Sequence, residues 1–342
     1  MTDPNPSDTM RGRIEESRYK MWVLTRMNRW VLAGAISVGV FMILVLMSFI
    51  APAPIRRTIG DADALWWVFS PMITGTVTVV ALVVTFNQLV LSQELGALGE
   101  QRDRMQDASD FRADVEPHLD VAVSPPDPAS FLAALIDGVQ TIANELEQTV
   151  TDAPANERDE VEVFVEELTE NASAVGEMLD EAQFGTFDVV FAALNFNYSW
   201  KIYEARRLIA DHQETLSQES LDLLDTIIDV LEVFGPAREH FKTLYFQWEL
   251  VNVSRAMLYS SIPALVTAIS MLLYVDEAGL TGAIVGIDTL VWLVALAATI
   301  TLFPFFVLVS FVLRIATVAK RTLAIGPFIL RETERSGDLD WN

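Results

Sequence analysis

The chain has 342 residues, half of them hydrophobic (51%), yet it carries 47 acidic against 23 basic side chains, a net charge near −24. A pI near 4.4 excludes nucleic-acid binding through a basic surface, because such a field repels phosphate. The absence of cysteine excludes disulfides, Cys-ligated zinc or iron–sulfur centres and thiol catalysis.

In chain order, a mostly polar N-terminal tail (1–29) comes first and is too long to begin a cleavable signal peptide. Two uncharged stretches follow, 30–50 and 65–91, each long enough to cross a bilayer, which needs about 20 apolar residues. Ala33 and Ser37 form a small-xxx-small pair in the first. In the second, Gly75 to Gly96 and then Gly99 to Pro117 lack intervening Gly and Pro, so a helix is expected to run on beyond the membrane as a stalk.

Residues 92–255 read as helices. A weak alternating run, Leu119 to Val123, ends in Ser124-Pro125-Pro126-Asp127-Pro128. Asp127 before Pro128 makes a helix start, cap then first turn. Leu132, Leu135, Ile136, Val139, Ile142 and Leu146 then share one helical face. After a break at Asp152-Ala153-Pro154, Val161, Phe164, Val165, Leu168, Ala172, Val175 and Leu179 repeat with the helical period. A third helix, 187–212, is rich in aromatic residues. A fourth, 221–234, is expected to stop at Gly235-Pro236. A second stalk follows, with Phe241, Tyr245, Phe246 and Trp248 placed either at headgroup depth or in a helical core. Asp222, Asp225 and Asp229 fall at helical spacing, which reads as a solvated face rather than a calcium loop.

Two further spans cover 256–274 and about 289–312. Gly282 and Gly286 read as a lone GxxxG at the edge of the last span. Pro263 and Pro304 are candidate kinks. No ionisable residue lies deep in any span, which argues against proton-coupled transport. The predicted fold is therefore all-α: four transmembrane helices in two hairpins, with a helical cytoplasmic domain inserted between them. The expected segments are 1–29 (tail), 30–91 (hairpin), 92–255 (acidic domain with stalk helices), 256–316 (hairpin) and 317–342 (tail).

Arg and Lys near the span ends set the orientation. The N-terminal tail holds Arg11, Arg13, Arg18, Lys20, Arg26 and Arg29. The C-terminal end holds Arg314, Lys320, Arg321, Arg331 and Arg335. The first outer loop has Arg56 and Arg57 with Asp61 and Asp63, and the second has only Asp276 and Glu277. Both termini and the acidic domain are thus expected on the cytoplasmic side of a cell membrane. Residues 92–255 contain 34 acidic and 10 basic side chains, and the rest of the chain 13 of each, so the whole net charge sits on one domain. With 19 Arg and only 4 Lys, the excess carboxylate fits a salt-rich cytoplasm. There the Debye length falls to about 3 Å at 1 M. Helicity and melting temperature are accordingly expected to fall as salt is lowered from molar to millimolar. Circular dichroism unchanged across that range would refute the salt argument.

One polar pattern lies inside the membrane. Thr74, Thr78, Thr85, Gln88 and Ser92 align on one stripe of the second span, with Ala81 on the same line. Two readings stay open: helix–helix packing through small and hydroxyl residues, or the lining of a water-filled path. No nucleotide-binding, hydrolase or His-based metal motif occurs. No cofactor and no enzymatic chemistry are implied. The expected partners are the lipid bilayer and a protein partner or a second copy of the chain.

Two stretches carry a resemblance. Phe241-Lys242-Thr243-Leu244-Tyr245-Phe246-Gln247-Trp248-Glu249-Leu250, followed by Ser254-Arg255, and Phe86-Asn87-Gln88-Leu89-Val90-Leu91-Ser92-Gln93-Glu94-Leu95-Gly96 resemble uncharacterised haloarchaeal multi-pass membrane proteins. That resemblance implies a habitat and a layout but no activity. The layout alone also resembles bestrophin-like channels. A membrane-anchored interaction or sensory protein is thus the leading expectation, with an oligomeric ion channel lined by the second span as the alternative.

Overall fold

The computed structural model describes residues 22–24, 27–50, 64–119, 121–151, 153–183, 185–275 and 280–321. The tail charges Arg11, Arg13, Arg18, Lys20, Arg26, Arg331 and Arg335 lie outside the described residues. So do Arg56, Arg57, Asp61, Asp63, Asp276 and Glu277 of the two loops, and Asp152 of the expected break. Among the described residues the secondary structure is helical apart from one two-stranded hairpin. Those residues fall into two compact units. One takes in 96–246 and 318–321, the other 22–95 and 247–317.

The first unit begins with α1 (Leu98–Val115) and a 3-10 turn (Glu116–His118), and continues with α2 (Pro128–Thr149), α3 (Ala155–Asp180), α4 (Phe187–Leu194) and α5 (Tyr198–His212). It ends with the first part of α6 (Gln218–Leu273). Asp127 caps α2 as expected: its carboxylate accepts from the Ala129 and Ser130 amides at 3.0 and 3.1 Å, with Pro128 in the first turn. The two apolar faces read from the periodicity meet in one core. Leu132, Leu135, Ile136, Val139 and Leu146 of α2 pack with Val161, Phe164, Leu168, Val175 and Leu179 of α3, and Ile142 lies at the edge. Residues 119 and 121–123 form bends rather than a strand.

The structure departs from the sequence expectations in three places along this part of the chain. The single helix expected over 187–212 is two, α4 and α5. No Gly or Pro marks the break. Instead the Asn195 side-chain amide donates to the Phe191 carbonyl at 3.0 Å, and Asn171 of α3 donates to the Asn195 carbonyl at 3.0 Å. Asn side chains thereby take over the backbone partners that a continuing helix would use. The stop expected at Gly235-Pro236 does not occur, and α6 runs through it for 56 residues. Phe234 and Ala237 are both in the core, so burial on either side outweighs the one backbone hydrogen bond lost at Pro236. Gly235 serves a close approach rather than a turn. A Cβ there would stand 2.9 Å from the Tyr198 ring, and the Arg238 guanidinium lies 4.7 Å from the centroid of that same ring. The helix of the second apolar stretch ends at Glu94, and α1 starts only at Leu98. The helix expected to run on beyond the span therefore does so only as far as Glu94, and a separate helix follows.

The second unit contains α7 (Arg29–Ile50), α8 (Ala64–Glu94), residues 247–273 of α6, the hairpin β1 (Ala283–Ile284) and β2 (Ile287–Asp288), and the larger part of α9 (Thr289–Arg321). Among the described residues, four helices are long and apolar enough to cross a membrane. Ala33 of α7, Val83 of α8, Val253 and Met257 of α6, and Phe306 and Phe311 of α9 form one cluster. A second cluster joins Phe69, Ala268, Met271 and Ala298. The pair Ala33 and Ser37 is buried in this packing, and Ser37 turns its hydroxyl back to the Ala33 carbonyl at 2.8 Å. Gly282 and Gly286 form no helical GxxxG. Gly282 precedes the hairpin with φ of +135°, while Val285 and Gly286, with φ of 55° and +77°, form its turn. Two successive positive-φ residues make the tight turn that closes a two-residue hairpin. Helix α9 then starts at Thr289, just after Asp288, whose carboxylate accepts from the Leu290 amide at 2.9 Å.

Candidate functional site

Five residues of the second apolar stretch are the candidates that the sequence supplies. Thr74, Thr78, Thr85, Gln88 and Ser92 all lie on the exposed side of α8. Thr76 and Val83 occupy the opposite side and are buried within the unit. The stripe therefore does not pack against the unit's other helices. Thr74, Thr78 and Thr85 each donate to the carbonyl four residues back, at 3.3, 2.9 and 3.2 Å. A hydroxyl satisfied this way carries little penalty against lipid, and stays able to accept a further hydrogen bond.

The first unit holds a groove of about 440 Å³, which no sequence motif signals. Helix α1 brings Arg104, Asp107, Ala108, Phe111 and Arg112 to it. These positions follow the i, i+3, i+4, i+7, i+8 rule and therefore share one face. The proline segment supplies Pro125, Pro126 and Pro128, α2 supplies Phe131, and α6 supplies Pro236, His240 and Phe241. Phe131 is the centre of the aromatic wall. Its ring centroid lies 6.3 Å from that of Phe111 and 6.1 Å, edge to face, from that of Phe241.

A small polar lock holds the proline segment in place. Arg112 Nε donates to the Ser124 hydroxyl at 2.9 Å, and a second Arg112 nitrogen donates to the Ser124 carbonyl. The Ser124 amide and hydroxyl both donate to Glu116 Oε1, at 3.0 and 3.2 Å. Ser124 itself is buried. The groove is thus preformed by a charged pair acting through one serine, which favours binding because little ordering remains to be done.

Two buried charge clusters escape a reading of the sequence. In the second unit, Arg314 of α9 donates to Glu249 of α6 at 2.9 Å and to the Met27 carbonyl at 3.1 Å. Arg29, at the start of α7, donates to the Leu24 and Ser310 carbonyls. In the sequence Arg29 and Arg314 read only as orientation signals. Nothing local marks Glu249, because its partner is 65 residues away.

In the first unit, Glu204 and Lys201 of α5 are both buried. Burial pushes the Glu204 carboxyl up to about 7. The neighbouring Glu167 carboxylate adds to that, while Lys201, Arg207 and the Trp200 indole pull it back. Asp137 is also raised, by burial and by Asp180. Asp222, Asp225 and Asp229 are exposed, as a solvated face requires. Among the described residues no group of three or more acidic or histidine side chains is placed to hold a metal ion.

No curated protein and no solved structure matches the chain. Its whole length, residues 1–342, matches one family. The chain belongs to the Family of unknown function (DUF7972).

Proposed function

We propose that this is an integral membrane protein of a salt-rich cytoplasm, in which four spans in two hairpins anchor an acidic helical domain that receives a ligand or a partner. The observation that carries this reading is the outward apolar surface of the second unit. Val38, Ile43 and Phe49 on α7, Trp66, Trp67 and Val77 on α8, Tyr259, Ile262 and Val266 on α6, and Leu296 and Phe305 on α9 are all exposed. Exposed apolar surface on that scale needs lipid or protein to cover it. The groove supplies a receiving site in the water-facing part. The role we read from this arrangement is one of interaction or sensing.

The topology half of this reading is directly testable, because the chain has no cysteine of its own. Gln148→Cys, on the exposed side of α2, is expected to react with a membrane-impermeant maleimide only after cells are permeabilised. Asp61→Cys is expected to react in intact cells. The reverse pattern, or equal labelling of both, would sink the proposed orientation.

One observation favours a second reading, an oligomeric channel. The stripe Thr74, Thr78, Thr85, Gln88 and Ser92 faces away from the packed side of α8. In a ring of identical chains that face can line a path. Ion flux in proteoliposomes at high salt separates the two. Flux lost on Thr78→Leu would make the stripe a pore lining. No flux from inserted, folded protein would leave the stripe to packing between copies.

A further inference from the structure

We propose that Arg255 of α6 holds the headgroup phosphate of an anionic lipid. The inference rests on the membrane reading above and adds a specific lipid contact to it. It stands on one face of one helix.

From Trp248 to Leu273, α6 carries only Glu249 and Arg255 as charged side chains, and they lie on different sides. Glu249 is buried and meets Arg314 at 2.9 Å. Val253, Ala256, Met257, Ser260 and Ala264 are buried on that inner side as well. Arg255 is exposed. So are Trp248, Val251, Asn252, Leu258, Tyr259 and Ile262, which stand three, four or seven residues from Arg255 in either direction. Those spacings put all of them on one helical face. One cation therefore sits in the middle of an outward face with no other charge.

That cation is uncompensated. Among the described residues, the Arg255 side chain makes no ion pair and no hydrogen bond. Arg29 and Arg314, by contrast, turn inward onto the Ser310 and Met27 carbonyls and Glu249. Arg255 also stands directly before the apolar stretch 256–274, at the depth where a spanning helix enters the headgroups. Trp248 and Tyr259, one on each side of it, are the residue types that favour that depth.

The occupant follows from the mixture. A free phosphate would neutralise the guanidinium but leave Leu258 and Ile262 bare. A lipid brings an anion and acyl chains together, so it covers both. The Arg255 stem can lie along the apolar face while its head reaches the phosphate layer. There the planar fork matches two phosphate oxygens with paired hydrogen bonds. A net charge near −24 otherwise repels anionic lipid, so such a contact needs a local cation of this kind.

The test uses the full chain inserted into vesicles of equal parts phosphatidylglycerol and phosphatidylcholine, then extracted in a neutral detergent in molar KCl. Lipid retained after chromatography is counted by mass spectrometry. The Debye length of about 3 Å at 1 M removes bulk attraction and leaves contact pairs. Phosphatidylcholine carries the same phosphate with its own countercharge, so it competes poorly. Enrichment of phosphatidylglycerol by about ten-fold or more is expected, because hydrogen bonds to charged groups are among the strong ones. It is expected to saturate near one lipid per chain. Arg255→Gln is expected to abolish the enrichment with the melting temperature of the lipid-free chain unchanged, since no partner is lost. Arg255→Lys is expected to keep part of it, because an ammonium attracts phosphate without the fork.

Equal retention of the two lipids by the native chain overturns the proposal. Enrichment that survives Arg255→Gln places the lipid elsewhere and overturns it too. Self-association of the chain through this face, lost on Arg255→Gln, would give the position to a second copy and has the same force. A chain that fails to float with the vesicles sinks the membrane reading. One that floats without lipid preference sinks this inference alone.

Discussion

Replacing Glu249 by alanine is expected to lower stability by about 3–5 kcal/mol, which is the usual cost of removing one partner from a buried ion pair. Glu249 and Arg314 meet at 2.9 Å, with side chains only 7% and 13% exposed. The Asn252 amide donates to the other Glu249 oxygen at 3.3 Å. Arg314 also reaches the Met27 carbonyl, just ahead of α7. One carboxylate therefore fixes the guanidinium that joins α6, α9 and the entry to α7. Without it, a guanidinium remains largely shielded from water with its countercharge removed.

The double replacement Glu249→Met with Arg314→Met is expected to recover most of the loss, since it removes both desolvated charges and keeps the volume. Thermal melts of the detergent-solubilised chain, arranged as a double-mutant cycle, measure the coupling. A Glu249→Ala protein that melts with the native one would show that the pair contributes nothing. Additive single losses in the double variant would show that the two side chains act separately.

Glu204→Gln is expected to act in the opposite direction, raising stability at pH 8 by about 3 kcal/mol. The carboxyl moves from an ordinary 4.5 to about 7 on folding, chiefly through burial and then through Glu167. Between those values the folded chain holds a proton that the unfolded chain has released. Stability therefore falls as pH rises from about 4.5 to about 7, and stays reduced above that. The amide of the variant carries no charge to desolvate, so its advantage is full above about pH 7 and disappears below about 4.5. A domain of this size gains roughly 2–4 °C in Tm for each kcal/mol, so the difference is readable as a shift of about 6–12 °C at pH 8. Equal melting temperatures at pH 8, or a lower one for Glu204→Gln, would contradict the assignment. The cost of an ionised Glu204 also makes α5 a point at which alkaline pH weakens the first unit.

Several elements are legible in the residues alone because their signals are local. The apolar faces of α2 and α3 follow from a period of 3.6, and each named position on them reaches the core or its edge. The cap at Asp127 depends only on the next three residues. Four stretches long and apolar enough to cross a membrane can be counted from composition. Where the sequence misplaces a break, a distant side chain or an unexpected backbone angle decides the matter. Asn171 and Asn195 end a helix that no Gly or Pro interrupts. The Tyr198 ring explains Gly235 inside a helix, where local rules read a stop. Gly282 and Gly286 share spacing with a helix-packing motif, but Gly286 sits in a hairpin turn and Gly282 just before its first strand, both with positive φ.

The candidate sites divide in the same way. The stripe Thr74, Thr78, Thr85, Gln88 and Ser92 is a property of one helix and is visible as a period. That it faces outward depends on which side of α8 meets other helices. The groove draws on α1, a proline segment, α2 and α6, and the Glu249–Arg314 pair bridges 65 residues. By itself the sequence determined composition, the placing of charge and the helical faces, because solvation and periodicity are carried by each residue and its near neighbours. Only the tertiary structure decided which carboxylates are buried, where the rings converge and which face of α8 is left open, because those follow from chain segments far apart in sequence competing for the same space.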